Sequence, residues 1–563
     1  MLDSAQRRLL GTIVLISTAA VTLVVAPYSL LDPISLPKLS VLVFFAVIAL
    51  SLITSTIKNL FSSKYRAVAV LLSLFIVQIF LVLLFSGANI QAQYYGTDSR
   101  RTGALAYIAL AVLLLSSALV SDQSFLKRFI RTTIIVGVIL IIYGNIQYLG
   151  LEPFPYDNAY TVNAPTGTLG NSNFQAAFMG LIAVVAFTMV LNSGFKPLAR
   201  LGLGVMGFAA IVVVRETLSS QGYLNFTAGA GFVLVLWLFM TARKSLGIAA
   251  IGLGVMGGGL VLLGLINSGP LAKYIFDGSI LARGYYWRAG VDILISHPLF
   301  GVGMDNYGSW YLRNRQIAME NGFSTYANAA HNVYLDLASN GGFPLLIIYL
   351  AITAYVVVAV VRVVKRSNGF DAYFAAIAGA WFAYHVQSFV SINQIGLAIW
   401  GWILSGLIIG YEINTRAPDI SQKKPSEQRV SNKKNIAPAQ DVSSKTVITV
   451  FVGALIGAIV AGPIFFANAR FYSAIKANDM KAVESAGNSI PQDQHRLYVL
   501  AGIFRNASLD DKAIAVLRDA TSHYPDSFDL WNLWTTIPTA SPADLATAKA
   551  QLKRLDPYNP AFK

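Results

Sequence analysis

The chain has 563 residues, 55% of them hydrophobic and only 12% charged, with a mean hydropathy of +0.59; so little polar surface excludes a soluble globule and points to an integral membrane protein. The formal net charge of +15 does not indicate nucleic acid, because the basic residues are divided among many loops and form no single patch. The sequence contains no cysteine, which excludes disulfides and thiolate metal sites.

Apolar segments of roughly 17 to 25 residues, the length that crosses about 30 Å of hydrocarbon as a helix, recur along the chain. They lie at 9–26, 39–56, 67–85, 103–120, 129–149, 174–191, 198–214, 224–241, 246–266, 343–364, 372–390, 395–411 and 447–466. They predict an all-α polytopic bundle of about 12–13 transmembrane helices. The first segment follows Arg7 and Arg8 and shows no small-residue cleavage site before Pro27, so it is expected to stay as a helix and not be removed as a signal peptide. Arg7, Arg8, Lys58, Lys64, Arg66, Lys127, Arg128, Lys196, Arg200, Arg243, Lys244, Arg362, Lys365, Arg366 and the basic stretch 416–445 then fall on one side. The positive-inside rule assigns that side, with the N-terminus, to the cytoplasm. Loops 89–102, 150–173, 215–223 and the long 267–342 face outward; the register is softest around 214–224.

Four regions are expected. Residues 1–411 form the membrane domain, with 267–342 as its extracytoplasmic loop. Residues 412–445, rich in Lys, Ser, Pro, Gln and Asn, read as a disordered cytoplasmic linker. Residues 446–466 form a further transmembrane helix, and 467–563 a small outward helical domain. In that tail, Leu497, Ala501 and Phe504 have helical spacing, and Tyr524-Pro525-Asp526 and Asp556-Pro557-Tyr558 recur about one tetratricopeptide period apart. The tail resembles one or two degenerate tetratricopeptide repeats, an unrelated small helical domain being the alternative. Such repeats bind partners more often than they catalyse, so a brace or a docking surface for an envelope protein is expected.

Polar groups at membrane depth are costly and mark function by default. The outward loops hold Arg100, Arg101, Arg215, Gln221, Arg283, Arg288 and His331. An arginine fork suits two phosphate oxygens at once, and several converging at the interface suit a lipid-linked diphosphate. The alternative for Arg283 and Arg288 is pairing with lipid headgroups, and for His331 a hydrogen-bonded structural role. Trp287 is either a sugar platform or an interfacial anchor, and Tyr285, Tyr286 and Tyr307 suit an aromatic belt. No histidine pair stands at i, i+4 and the outer acids show no paired spacing, so no metal and no cofactor is expected. Gly301-x-Gly303 is too short for a nucleotide fingerprint.

The order Arg283-x-x-x-Trp287-Arg288, His297-Pro298-Leu299-x-Gly301-x-Gly303, His331-Asn332-x-Tyr334-Leu335 and Gly341-Gly342, preceded by Gly167-x-x-Gly170-Asn171-x-Asn173, resembles the core of the O-antigen ligase and O-antigen polymerase superfamily. That superfamily also includes bacterial O-linked oligosaccharyltransferases. The resemblance implies transfer of a glycan from a polyprenyl-diphosphate-linked donor to a lipid, glycan or protein acceptor at the outer face of the cytoplasmic membrane. It implies His331 as base for the attacking hydroxyl and Arg283 on the donor diphosphate; beside these, the polar groups of the outward loops leave Arg100, Arg101, Arg215, Gln221, Trp287, Arg288 and Asn332 as substrate-binding candidates. Many members have Ser-Arg-Gly where this chain has Ser220-Gln221-Gly222, and a glutamate before the glycine pair is replaced by Ser339-Asn340. The competing readings are a transporter or flippase for lipid-linked glycans and a non-catalytic envelope assembly factor.

Overall fold

Each of the thirteen apolar segments becomes a helix in the computed structural model, which describes residues 2–154, 164–416 and 443–562. Among the described residues there is no strand, and the apolar segments are helices, which satisfy most of their backbone groups internally. Ten helices are long and apolar enough to cross a membrane. The other three are Ser4–Leu23, which carries Arg7 and Arg8 in its first turns, and the 17-residue helices Ala104–Val120 and Ala372–Ser388. Seventeen residues rise only about 25 Å, short of the hydrocarbon thickness, and both short helices lie in the protein core.

Burial grades from the centre outward. Ile395–Asn414 and Ser172–Val190 are almost wholly enclosed, whereas Lys244–Leu265 has only Gly247 and Gly264 buried. The central contacts use small residues: a side chain at Gly406 would meet the Ser117 hydroxyl and the Leu114 carbonyl, and one at Gly410 the Ala118 backbone on the neighbouring helix, the close approach that dispersion requires where lipid is as apolar as protein. The buried Lys38 ammonium closes the end of the first helix by donating to the carbonyls of Val21, Thr22 and Val24 at 3.0, 2.8 and 2.9 Å.

The bundle has two chemically different ends. At one, Arg7 pairs with Asp122, Tyr65 donates to Asn414, and Glu412 takes both Arg366 and Arg416. At the other lie Asp32, Arg100, Arg101, His331 and the C-terminal helices. Arg7, Arg366 and Arg416, which charge sorting placed on one side, therefore lie at one end of the bundle.

Three boundaries differ from expectation. The 267–342 stretch is largely helical: Gly278–Ser296 crosses it, and its last residues form the outer part of Val333–Arg366. That long helix breaks at Gly342, whose φ of +76° and contact with the Leu299 carbonyl admit no side chain. The helix expected at 446–466 runs from Ser444 to Lys476, because Phe471 and Ala474 continue its apolar face into the core of the tail. Of the predicted linker, 417–442 lies outside the described residues, while Glu412 is buried in the end of Ile395–Asn414.

The tail is helical, pairing Gln494–Asn506 with Asp510–His523 and Phe528–Trp534 with Pro542–Leu555. It sits on the membrane domain through two buried ion pairs and one partly exposed pair. Arg101 meets Asp493 at 2.6 Å, Arg315 grips Asp556 with two bonds of 3.0 and 2.6 Å, and Arg313 meets Asp526. Removing Asp556 would strand the buried Arg315 guanidinium, which fixes the docking there.

Candidate functional site

The site is built on two helix starts. Asp277 caps Gly278–Ser296 by accepting from the Ser279 and Ile280 amides, and Asn332 caps Val333–Arg366 by accepting from Leu335 at 3.1 Å. The two helices meet where Gly290 admits Leu335. This sets Trp287 beside the residue preceding the second cap, His331, with Arg283 one turn earlier on the same helix.

Arg283 is half-buried and fixed. Its Nε donates to the Val390 carbonyl at 2.9 Å, and Nη1 donates to the Ser279 carbonyl and hydroxyl, both at 3.0 Å. Among the described residues its Nη2 has no partner, so the fork keeps one anchored arm and one available arm. Burial lowers the guanidinium from its usual value, opposed by Asp277.

His331 has φ +51°, a left-handed conformation costing a non-glycine residue on the order of 1–3 kcal/mol. Its Nδ1 lies 3.0 Å from the Ala329 carbonyl. A carbonyl only accepts, so in the neutral ring Nδ1 carries the proton and Nε2 holds the free lone pair. The His331 carbonyl accepts from the Trp287 indole at 3.5 Å, and the ring lies 5.0 Å from that of Tyr286. Burial pushes His331 down to about 4, reinforced by the Arg283 and Arg100 cations and opposed by the Ala329 hydrogen bond and Asp336. The imidazole is therefore neutral near pH 7 and able to take a proton.

Trp287 also borders an apolar groove of about 590 Å³ against the lipid-facing helix, lined by Met256, Gly259, Leu260, Leu263 and Ile266. Of the site residues, Trp287 is the one that borders this groove.

The remaining predicted residues fall elsewhere. Arg288 is exposed and makes a loose 3.7 Å pair with Asp292, while Arg215 is exposed in the last turn of Pro197–Glu216 beside Glu216. Gln221 opens Gln221–Met240, and among the described residues its buried Oε1 has no hydrogen-bond partner. Asn332 uses its side-chain oxygen as the cap, which removes that atom from substrate binding. Arg100 and Arg101 are buried and already surrounded by carboxylates. Arg100 faces Asp305 and Asp336, and Arg101 faces Asp32, Asp98 and Asp493, so neither guanidinium is open to a diphosphate. Tyr286 and Tyr307 form no belt: Tyr307 donates to the Tyr286 carbonyl at 2.7 Å inside a small core.

Sequence reasoning missed Asp336, which accepts from the Ala330 amide and pairs with Arg100. The available signal was an acid within the apolar run Val333–Leu337, since an unpaired carboxylate there would be costly. Among the described residues no cluster of three His, Asp or Glu could hold a metal ion.

These features define a multi-pass membrane protein that carries His331 and Arg283 at helix starts at one end of its bundle. More particularly, residues 205–350 match the O-antigen ligase family, supporting the O-antigen ligase and polymerase superfamily and a glycan-transfer role in cell-surface polysaccharide assembly. The matched segment contains Arg215, Gln221, Arg283, Trp287, Arg288, His331 and Asn332. No curated protein matches the chain.

Proposed function

We propose that the protein is a metal-independent, inverting glycosyltransferase that moves a glycan from a polyprenyl-diphosphate-linked donor to an acceptor hydroxyl at the outer face of the cytoplasmic membrane. The observation that supports this reading is the free Nε2 of neutral His331 within electrostatic reach of Arg283, whose Nη2 has no partner among the described residues, with Trp287 donating to the His331 carbonyl and bordering an apolar groove. In the step envisaged, the acceptor oxygen forms a bond to the anomeric carbon as the bond from that carbon to the diphosphate oxygen breaks. The hydroxyl proton passes to His331 Nε2, and the leaving diphosphate takes the electron pair toward Arg283. Arrival of the anionic donor also offsets the Arg283 and Arg100 cations, raising the proton affinity of His331 when it is needed. The exposed Arg288 and Arg215 are the further cations able to meet the donor.

The test is incubation of purified protein in detergent with a synthetic polyprenyl-diphosphate oligosaccharide and a panel of hydroxyl acceptors. The enzyme reading requires release of free polyprenyl diphosphate together with a glycosylated acceptor. A transporter or an assembly factor releases none, and that result removes the proposal.

A further inference from the structure

The groups that set His331 come from outside its own loop. Arg100, carried on the segment before Ala104–Val120, donates from Nη1 to the Asn328 carbonyl at 2.6 Å and from Nη2 to Asp336 Oδ2 at 2.9 Å. The other oxygen of Asp336 accepts from the Ala330 amide at 3.1 Å. The backbone is thus held three residues before His331 by the arginine and one residue before it by the aspartate. Both side chains are almost completely buried, at 2% and 3% exposed. Asp305 backs Arg100 from 3.2 Å and is itself fixed by Thr97 and Thr102.

We propose that Arg100 and Asp336 are a positioning pair for the candidate base: they hold the 328–331 turn in its left-handed conformation, keep the Ala329 carbonyl on Nδ1, and so leave Nε2 free. Neither residue touches substrate in this arrangement. The inference rests on reading His331 as the proton acceptor, but it makes a claim about the imidazole that needs no turnover to measure. The charged and titratable groups facing His331 are Arg283 and Tyr286 from Gly278–Ser296, Arg100 from its segment, and Asp336 from the following helix. Two of them belong to the pair and have opposite sign. Removing the arginine should therefore raise the protonation midpoint of His331, and removing the aspartate should lower it, while both loosen the tautomer.

The experiment is nitrogen NMR of the full chain in lipid nanodiscs with labelled histidine. There are five histidines, and the His331 signals are assigned by their loss in His331→Gln. The parent should show the Nδ1-protonated tautomer and a midpoint well below that of free imidazole. Arg100→Gln should move the midpoint up by about one pH unit and mix the tautomers. Asp336→Asn, nearly isosteric and still able to accept from Ala330, should move it down and also mix them. Arg100→Lys keeps the charge but loses the two-ended fork, so its midpoint should hold while the tautomer is lost; it and Asp336→Asn carry the test should Arg100→Gln not fold. Unchanged tautomer and midpoint in folded variants, or shifts of the same sign in Arg100→Gln and Asp336→Asn, overturn the pair. Titration as expected in a protein that transfers no glycan would instead leave the pair intact and remove the base assignment.

Discussion

At the scale of single residues, the conflict to resolve is that a histidine pushed down to about 4 is a weak base held in its basic form. The balance suits a group that must be unprotonated when the acceptor arrives and become more basic once the donor's negative charge is in place. For a base, activity is present above the free-enzyme midpoint and lost as pH falls through it. Accordingly kcat/KM should stay flat through pH 6.5, where an ordinary histidine would already halve it, and decline only toward pH 4; a pH–rate profile checks this. His331→Gln hydrogen-bonds but accepts no proton, so it should slow transfer at least about a hundredfold in protein that is folded and still binds donor. Arg283→Lys retains charge yet cannot both anchor to Val390 and present a second donor from one plane, so it should lose much of the activity and Arg283→Ala essentially all. Normal turnover by Arg283→Ala with an inactive Arg215→Ala would move the diphosphate site to the exposed end of Pro197–Glu216.

At the scale of elements, the break at Gly342 decides where the site sits. The His297–Gly303 turn packs into it: Val302 and Gly303 donate to the Ser339 and Asn340 carbonyls at 3.0 Å, and the Phe343 amide donates to Pro298 at 2.8 Å. Gln78 from Arg66–Phe85 donates to the carbonyls of both Leu299 and Gly341. Gly342→Ala would place a methyl group on the Leu299 backbone at a φ that disfavours it, so it should destabilise the outer half of the helix by more than about 1 kcal/mol and lower transfer with it. Thermal unfolding in detergent, read beside activity, checks this. Hydrophobic run length made all thirteen helices legible in the sequence, since crossing hydrocarbon leaves a coarse, local signature. The break was not legible as a break, because Gly341-Gly342 closed the expected 267–342 loop, and the helical turns before it, from Val333, carry polar residues such as Ser339 and Asn340 that read as loop until the partner turn is known. The same holds for the site. His331 and Arg283 could be named from motif order, but Arg100 looked like a free cation because Asp305 and Asp336 lie more than two hundred residues away along the chain.

At the scale of the whole molecule, the tail and the membrane domain form one docked unit, and the docking runs through the site's supports. Asp493 holds Arg101, the neighbour of Arg100, while Asp556 and Asp526 hold Arg315 and Arg313 on the segment that leads to His331. If the two ends of the bundle face opposite compartments, reporter fusions at Gln428 and Lys563 should report opposite sides. The docking itself is tested by Asp556→Asn. Arg315 and Asp556 are 5% and 1% exposed, so the change leaves a buried guanidinium without its counter-charge, a loss on the order of 3–5 kcal/mol. The expected result is a lower unfolding temperature and reduced transfer, although Asp556 lies in the C-terminal tail. The chain has no cysteine, so Asn89→Cys with His523→Cys, whose parent residues touch through a 3.0 Å bond from Asn89 to the His523 carbonyl, gives a single reactive pair across the junction. Joining that pair with a short bis-maleimide in the Asp556→Asn background should restore transfer if the tail acts by holding the outer segments in place. Cross-linking that proceeds fully but restores nothing would mean that Asp556 serves the folding of the tail and not its docking.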